Sequence, residues 1–209
     1  MKQILIAIPS YTGMIPLSVM SRLIHLDKPD GFQINFAYVE RTFIDKARNG
    51  LVQLCLKNNN DYLFFNDDDQ NPDKDILTKM VELDKDIVGC PISSRNGREE
   101  LALYDKKGNR INDFKKTQEV GAVGMGSTLI KRKVLEEIIK VYPAPFQFEN
   151  AIEIKDNKEI LVEYSEDINF CKRAGELRFE IWCMADVKSF HIGNPIQYFY
   201  DGEFKVKIK

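Results

Sequence analysis

The chain has 209 residues, of which 44% are hydrophobic and 30% are charged, and its formal net charge is −2. These values are typical of a soluble globular protein of one domain and exclude a disordered chain. Without a basic excess, a nucleic-acid partner is not expected. No run approaches the roughly 18 apolar residues of a membrane span, so we expect a cytoplasmic protein without a transmembrane segment, at most peripheral to a membrane.

The first 90 residues alternate between short apolar runs, which predict strands, and segments with apolar residues at helical spacing. Strands are predicted at 3–8, 32–39, 62–65 and 87–90. Helices are predicted at 16–26, 44–55 and 72–83. This alternation predicts an α/β fold of the Rossmann type, with a doubly wound, mostly parallel sheet and helices on both faces.

Residues 91–209 follow a different pattern, which predicts a smaller β/α part of the same single domain. A hairpin is expected at 101–111 with Gly108 and Asn109 at the turn, followed by a strand that contains several glycines in GAVGMGSTLI and a helix at 133–141. A polar stretch at 142–163 precedes a helix at 165–176 that is capped by Ser165. A strand at 179–184, a loop with His191 and a C-terminal edge strand FKVKIK complete the chain. No linker divides the chain.

The four cysteines are scattered along the chain and form no CxxC pair. This pattern favours buried free thiols in a reducing compartment, and no zinc site is expected. The residues are Cys55, Cys90, Cys171 and Cys183.

Three consecutive aspartates, Asp67, Asp68 and Asp69, directly follow the third predicted strand. Ligands of parallel α/β sheets bind beyond the carboxyl ends of the strands, where the segments 9–11 and 40–41 also lie. Like carboxylates this close to a core repel one another, so a positive group is expected beside them. The Asp-x-Asp spacing supplies hard oxygen ligands for Mg²⁺, Mn²⁺ or Ca²⁺.

A calcium loop, a phosphatase motif and a simple helix start all fit the aspartates less well. In an EF-hand, Pro72 would occupy the glycine position and Thr78 would replace the bidentate glutamate. A dehalogenase-type phosphatase would continue with threonine, where this chain has Gln70-Asn71-Pro72. Acids that merely begin a helix at Pro72 would not need to number three. A divalent metal that bridges the aspartates and a diphosphate is the favoured hypothesis.

Four segments in this order resemble the GT-A glycosyltransferases, and family-two-like enzymes in particular, including short stand-alone ones from surface-polysaccharide clusters, phages and large DNA viruses. The segments are IAIPSYTG, FFNDDDQNP, GMGSTLIKRKVLEEI and EYSEDINFCKRA. The resemblance covers roughly residues 4–193, although 91–120 and the tail after 194 carry none of the pattern. It implies metal-dependent transfer of a hexose or deoxyhexose from a nucleotide-diphosphate sugar to a hydroxyl of a glycan or glycoprotein acceptor. Family likeness favours UDP as the nucleotide.

The same resemblance assigns roles to individual residues and implies a donor-binding half at 1–90 and an acceptor-binding, catalytic half at 91–209. The donor-binding residues are Pro9, Ser10, Tyr11, Arg48, Asp67, Asp68, Asp69, Gly124, Met125 and Gly126. The Mn²⁺ (or Mg²⁺) ligands are Asp67, Asp69 and His191. Glu166 and Asp167 are the catalytic pair: Asp167 is the base if the reaction inverts the anomeric centre, and the pair positions the acceptor if it does not.

Simpler roles stay open for several of these residues. Ser165, Glu166 and Asp167 could serve only as a helix cap and its first-turn acids. Arg48 could pair with Asp45 on its own helix. A nucleotide-sugar-binding module without catalysis, and a metal-dependent phosphatase or nucleotidyltransferase on a similar sheet, remain alternatives for the whole protein.

Overall fold

The structure is a computed structural model that describes residues 1–93, 100–155, 158–192, 196–200, 202 and 204–208. Its helices are α1 (Leu17–Ile24), α2 (Ile44–Lys57), α3 (Ile76–Leu83), α4 (Arg132–Val141) and α5 (Glu166–Glu176). Its strands are β1 (Lys2–Ser10), β2 (Phe32–Glu40), β3 (Tyr62–Asn66), β4 (Gln70–Pro72), β5 (Ile87–Gly89), β6 (Leu103–Tyr104), β7 (Gln118–Glu119), β8 (Ala122–Val123), β9 (Ser127–Lys131), β10 (Glu149–Lys155), β11 (Lys158–Tyr164), β12 (Ile181–Cys183), β13 (Ser189–Ile192), β14 (Ile196–Tyr200) and β15 (Phe204–Ile208).

A seven-stranded central sheet has the order β2-β1-β3-β9-β5-β12-β7 in the described part of the chain. β2, β1, β3, β5 and β12 run in one direction, whereas β9 is antiparallel to both of its neighbours and β7 is antiparallel to β12. A smaller sheet has the order β15-β14-β13-β4. The mostly parallel α/β sheet predicted from the sequence is thereby confirmed, and β15 lies at a sheet edge as expected.

The alternation of side chains along the strands divides the interior into two cores, one on each face of the central sheet. Leu5 and Phe65 belong to the core covered by α2, α4 and α5. Ile6 and Phe64 belong to the core covered by α1 and α3. Because helices cover both faces, residues 4–9 of β1 and 62–65 of β3 form continuous apolar runs, which is why these strands could be predicted from their composition.

The segment after the aspartates differs from the prediction. Gln70–Pro72 form the short strand β4, which pairs with β13, and α3 therefore begins at Ile76 instead of Pro72. The same pairing places His191 within β13 and opposite Gln70, where a loop was expected. Pairing between segments more than 100 residues apart leaves no local signal in the sequence.

The polar stretch 142–163 contains most of a hairpin that was not predicted from the sequence. β10 and β11 form an antiparallel pair in which Ala151 lies opposite Val162 and Ile152 lies opposite Leu161. Polar and apolar residues are mixed along both strands without strict alternation, so neither an apolar run nor a period of two marks the hairpin in the sequence. The predicted hairpin at 101–111 is confirmed by the bridge between Tyr104 and Arg110.

The four cysteines are buried and none forms a disulfide, as predicted. Burial raises the pKa of the Cys55 and Cys171 thiols to about 12, so both stay protonated at neutral pH. Among the described residues, no helix is long and apolar enough to cross a membrane.

Candidate functional site

The carboxyl ends of β1, β2 and β3 meet at one edge of the central sheet. The Ser10 hydroxyl donates a hydrogen bond of 2.6 Å to Oδ2 of Asp68, and the amide of Gly13 donates to the Ser10 hydroxyl at 3.0 Å. The amide of Arg41 donates to the Ser10 carbonyl oxygen at 3.1 Å. The sequence-based expectation that these three strand ends converge is therefore correct.

Arg48 connects this edge with helix α5. Its side chain lies in the interior, where Nη2 donates to both carboxylate oxygens of Asp67 at 2.9 and 3.1 Å and Nε donates to Oε1 of Glu166 at 3.1 Å. The guanidinium carbon lies 5.0 Å from the centre of the Phe65 ring. Arg48 thus pairs with two distant carboxylates, and its pairing with Asp45, one of the simpler alternatives, is not what the structure shows.

The negative charge around Arg48 exceeds its single positive charge. Burial alone would lower the pKa of Arg48, but the carboxylates of Asp67, Glu166 and Asp167 together raise it. Burial raises the pKa of Asp67 and of Glu166, although the charge of Arg48 opposes this in both cases. The chain therefore supplies part of the counter-charge predicted beside the aspartates, and an excess of carboxylates remains.

Asp69 and His191 form a pair that suits a cation. Nδ1 of His191 lies 2.8 Å from the carbonyl oxygen of Ser93, which can only accept, so Nδ1 carries the hydrogen. In the neutral ring, Nε2 then presents a lone pair to Oδ2 of Asp69 at 3.2 Å. Two acceptors this close need a positive charge on or between them. A histidine whose other ring N–H donates to a carbonyl oxygen is typical of metal ligands.

The pair does not form a complete metal site by itself. Within the described ranges, no group of three or more histidine, cysteine, aspartate or glutamate side chains is arranged to hold a metal ion. The Asp67 carboxylate accepts from Arg48 through both oxygens, each of which keeps a further lone pair. The donor set therefore fits an ion that takes only a few protein ligands and completes its shell with water and phosphate oxygens, as Mg²⁺ does.

The segment Gly124-Met125-Gly126 runs from Asp167 to Asp67. A Cβ atom on Gly124 would lie 3.7 Å from Oδ2 of Asp167, and one on Gly126 would lie 3.4 Å from Oδ2 of Asp67. The Asp67 amide also donates to the Gly126 carbonyl oxygen at 2.9 Å. The Met125 side chain is fully buried in the core, so only its backbone is available at the site.

Helix α5 presents its first two acids in different ways. Glu166 is buried and bound to Arg48, whereas Asp167 is partly exposed and its Oδ1 accepts from the Ile168 amide at 2.8 Å and from the Ser165 hydroxyl. Ser165 occupies the N-cap position, but its side chain makes no capping bond to a backbone amide. Charge–dipole stabilisation of a solvated helix end, the simpler alternative for this segment, does not account for the buried Glu166–Arg48 pair.

Two exposed aromatic rings flank the end of β1. Tyr11 is 69% exposed and Phe43 is 64% exposed, and their ring centroids lie 6.3 Å apart. Pro9, which precedes them, is buried at the end of the strand. Exposed rings beside a polar sheet edge are available to stack on a planar ligand group.

A buried polar network behind the aspartates was not found in the sequence. The Ser189 hydroxyl donates to Oε1 of Gln70 at 2.8 Å and shares a hydrogen bond of 2.8 Å with the Ser127 hydroxyl. Nδ2 of Asn66 donates to the carbonyl oxygens of Asp67 and Gln70 at 2.9 Å each. Asn66, at the end of the otherwise apolar β3, is the sequence signal that could have indicated this network, which fixes the aspartate loop to β9 and β13.

Comparison with solved structures identifies the fold as GT-A-like. The crystal structure of A197 from STIV matches 100% of this chain and 94% of that chain with a TM-score of 0.72 and 20% sequence identity. The crystal structure of S. aureus TarS matches 89% of this chain with a TM-score of 0.55 and 16% identity, and the match spans 35% of TarS. No family model matches the sequence, and no curated relative was found. At these identities, the likenesses establish the fold alone.

Proposed function

We propose that the protein is a metal-dependent glycosyltransferase that moves a hexose or deoxyhexose from a nucleotide-diphosphate sugar to a hydroxyl of a glycan or glycoprotein. The observation that carries this proposal is the juxtaposition of Asp67 and Asp167 at the two ends of the Gly124–Gly126 segment. Carboxylates that we propose to bind a cation thus lie beside a separate, partly exposed carboxylate. Transfer from a diphosphate requires this combination, one part for the leaving group and one for the attacking hydroxyl.

The donor would occupy the edge formed by β1, β2 and β3, in the half of the chain that comprises residues 1–90. Tyr11, together with Phe43, would stack on the base, which we propose to be uracil, next to Pro9. Asp68, oriented by the buried Ser10 hydroxyl, would accept from hydroxyls of the ribose or the sugar. At Gly124 and Gly126 an added Cβ would lie 2.9 Å from Cβ of Ala102 and from Cδ1 of Ile92, so the missing side chains allow close packing there. Donor and acceptor would contact the backbone of this segment between the two carboxylates.

A Mn²⁺ or Mg²⁺ ion would be held by Asp69 and His191, with a further contact from Asp67. When bound, the ion would neutralise the leaving diphosphate. Arg48 would keep Asp67 and Glu166 ionised and in place through its buried hydrogen bonds. The small number of protein ligands is compatible with either ion, and the imidazole of His191 favours Mn²⁺ over Mg²⁺.

Asp167 would take the proton of the acceptor hydroxyl if the anomeric centre is inverted. Its Oδ1 is held by the Ser165 hydroxyl and the Ile168 amide, which leaves Oδ2 on the side of Gly124. If configuration is retained, Asp167 and Glu166 would instead position the acceptor. The second half of the chain, residues 91–209, thereby provides the acceptor side of the reaction.

Donor binding and turnover test this proposal. UDP-linked sugars should raise the melting temperature only when Mn²⁺ is present, because a ligand that binds the folded state stabilises it by mass action. Incubation of the protein with a UDP-linked sugar and Mn²⁺ should release UDP. A phosphatase would instead release phosphate, and a nucleotidyltransferase would release pyrophosphate. Binding without release of any product would identify a catalytically inactive nucleotide-sugar-binding module and would contradict the proposal.

The Asp69→Asn variant should lose the Mn²⁺-dependent part of the melting shift and the UDP release. Asparagine keeps the size of the side chain but removes the charge that pairs with the ion and with His191. Asp30→Asn, at an exposed position away from the site, is the matched control and should behave as the parent protein. An Asp69→Asn variant with an unchanged Mn²⁺ response would show that the ion is held elsewhere.

A further inference from the structure

A cavity lies along helix α5, apart from the residues assigned to the donor edge. Its volume is about 730 Å³, within the range of sites that bind small molecules. One wall is formed by Ile168, Cys171 and Gly175, which lie on one face of α5, and the others by the hairpin that contains Tyr104 and by the end of β11. None of the residues assigned to the donor or the metal lines it.

The cavity is lined by Ser165 and Ile168, the two residues that hold Oδ1 of the proposed catalytic base, although Asp167 itself does not line it. Ser165, whose hydroxyl binds Asp167, is one of its lining residues. Tyr104 lines it as well, and the charge of Asp167 is one of the influences that raise the pKa of Tyr104, after burial. A ligand in this cavity would therefore have one end beside Ser165, next to Asp167 in the chain.

The charges of the lining residues leave a positive excess. Lys106 pairs with Glu119 at 2.8 Å. The carboxylate of Asp105 accepts from amides of its own turn, which lower its pKa and favour its charged form, and it interacts with the charge of Lys107. The lining residues comprise four basic ones, Lys106, Lys107, Lys172 and Arg178, and three acidic ones, Asp105, Glu119 and Glu163. Among the described residues, Lys172 and Arg178 form no ion pair. This excess is found in a chain whose net charge is −2.

Aromatic rings in the wall suit a sugar. Tyr104 and Tyr164 both line the cavity, and the Lys172 ammonium lies 4.7 Å from the centre of the Tyr164 ring. Rings of this kind pack against the apolar faces of sugars, while the lysines and the arginine can bind a carboxylate or phosphate. Along α5, the rise of the helix separates Asp167 from Gly175 by about 12 Å, which exceeds the length of a single hexose.

We propose that this cavity binds the acceptor, and that the acceptor is an anionic carbohydrate of at least two sugar units that carries a carboxylate or phosphate group. Its reactive hydroxyl would lie beside Asp167, and its acidic group would contact Lys107, Lys172 and Arg178. The identity of the ligand as the acceptor rests on the proposed function, whereas the preference for anionic sugars rests on the cavity alone.

Gly175 allows the cavity to be filled without disturbing the fold. A Cβ atom there would meet nothing within 4 Å, and the same is true of Gly50 in α2, which is exposed and remote from the cavity. Leucine is a better helix former than glycine, so Gly175→Leu and Gly50→Leu should both fold at least as stably as the parent protein. The two variants differ in whether the new side chain projects into the cavity.

Binding of three probes to the full-length chain, measured by ligand-observed NMR without donor or metal, tests the inference. Methyl β-glucuronide and glucose 6-phosphate distinguish a carboxylate from a phosphate ligand, and methyl β-glucoside is the neutral control. At least one anionic probe should bind more tightly than the neutral one. Gly175→Leu should abolish this binding and Gly50→Leu should not. Arg178→Gln should weaken the anionic probe about tenfold, as expected for one charged hydrogen bond, whereas Lys28→Gln, outside the cavity, should have no effect.

Equal binding of charged and neutral probes, or unchanged binding to Gly175→Leu, would overturn the inference. Its failure is distinguishable from that of the proposed function. A transferase with a different acceptor would still release UDP in the presence of Mn²⁺ and would show no preference for the anionic probes. An anion-binding protein that is not a transferase would bind the probes and release no UDP.

Discussion

Replacing Asp167 with asparagine should lower the rate of sugar transfer about 10²–10⁴-fold, the usual contribution of a general base. Asparagine keeps the length of the side chain, so its oxygen can still accept from the Ser165 hydroxyl and the Ile168 amide. It cannot accept the proton of the acceptor hydroxyl. The metal-dependent melting shift with a UDP-linked donor should persist, because Asp167 lies across the Gly124–Gly126 segment from the donor aspartates.

The transfer rate is measured with the acceptor in excess and compared with that of Asp113→Asn, an exposed aspartate that forms a surface ion pair with Lys115. Asp113→Asn should retain the parent rate. Should Asp167→Asn also retain it, the base would be a different residue. A loss of donor binding together with the rate would assign Asp167 to the donor site instead.

Replacing Arg48 with methionine should lower the free energy of unfolding by about 3–5 kcal/mol, the range found when one partner of a buried ion pair is removed. Methionine fills the space beside Phe65, so the effect is not that of a cavity. The loss arises because Asp67 and Glu166 would keep their buried carboxylates without the positive charge that compensates them. Urea unfolding followed by circular dichroism measures the change.

Lys74→Met is the control, since it breaks an ion pair with Asp27 in which the side chains are 58% and 46% exposed. Exposed ion pairs contribute about 0–1 kcal/mol to the free energy of unfolding. The free energy of unfolding of Lys74→Met should differ from that of the parent protein by no more than this. The double variant Arg48→Met/Glu166→Gln should recover part of the stability, because one uncompensated carboxylate is removed. A change of less than about 1 kcal/mol in Arg48→Met would mean that water or a bound cation, and not the arginine, neutralises these carboxylates.

The parts of the site that could be predicted from the sequence are those set by local pattern and sheet geometry. The central parts of β1 and β3 are apolar because both faces of the central sheet are covered, and the direction of parallel strands places Ser10 beside Asp68. Family resemblance, not spacing, led to His191, which lies 122 residues from Asp69. The assignment of these residues to donor and metal remains a prediction.

The parts that could not be predicted depend on contacts between distant segments. The Nε–H of Arg48 binds Glu166, 118 residues away, and nothing local distinguishes this from a pair with Asp45 on the same helix. The strand β4 exists because β13 lies beside it, which also moved the start of α3 from Pro72 to Ile76. Tertiary pairing of this kind overrides the local preference of proline for the first turn of a helix.

The position of manganese in a crystal soaked with Mn²⁺ and a UDP-linked sugar is the most direct test of the site. An anomalous diffraction peak at about 2.1 Å from Oδ2 of Asp69 and Nε2 of His191, and in contact with the diphosphate, is the expected result. A peak at another position, or aspartate side chains that point to solvent while the donor is bound, would contradict a metal-dependent transferase built on this sheet edge.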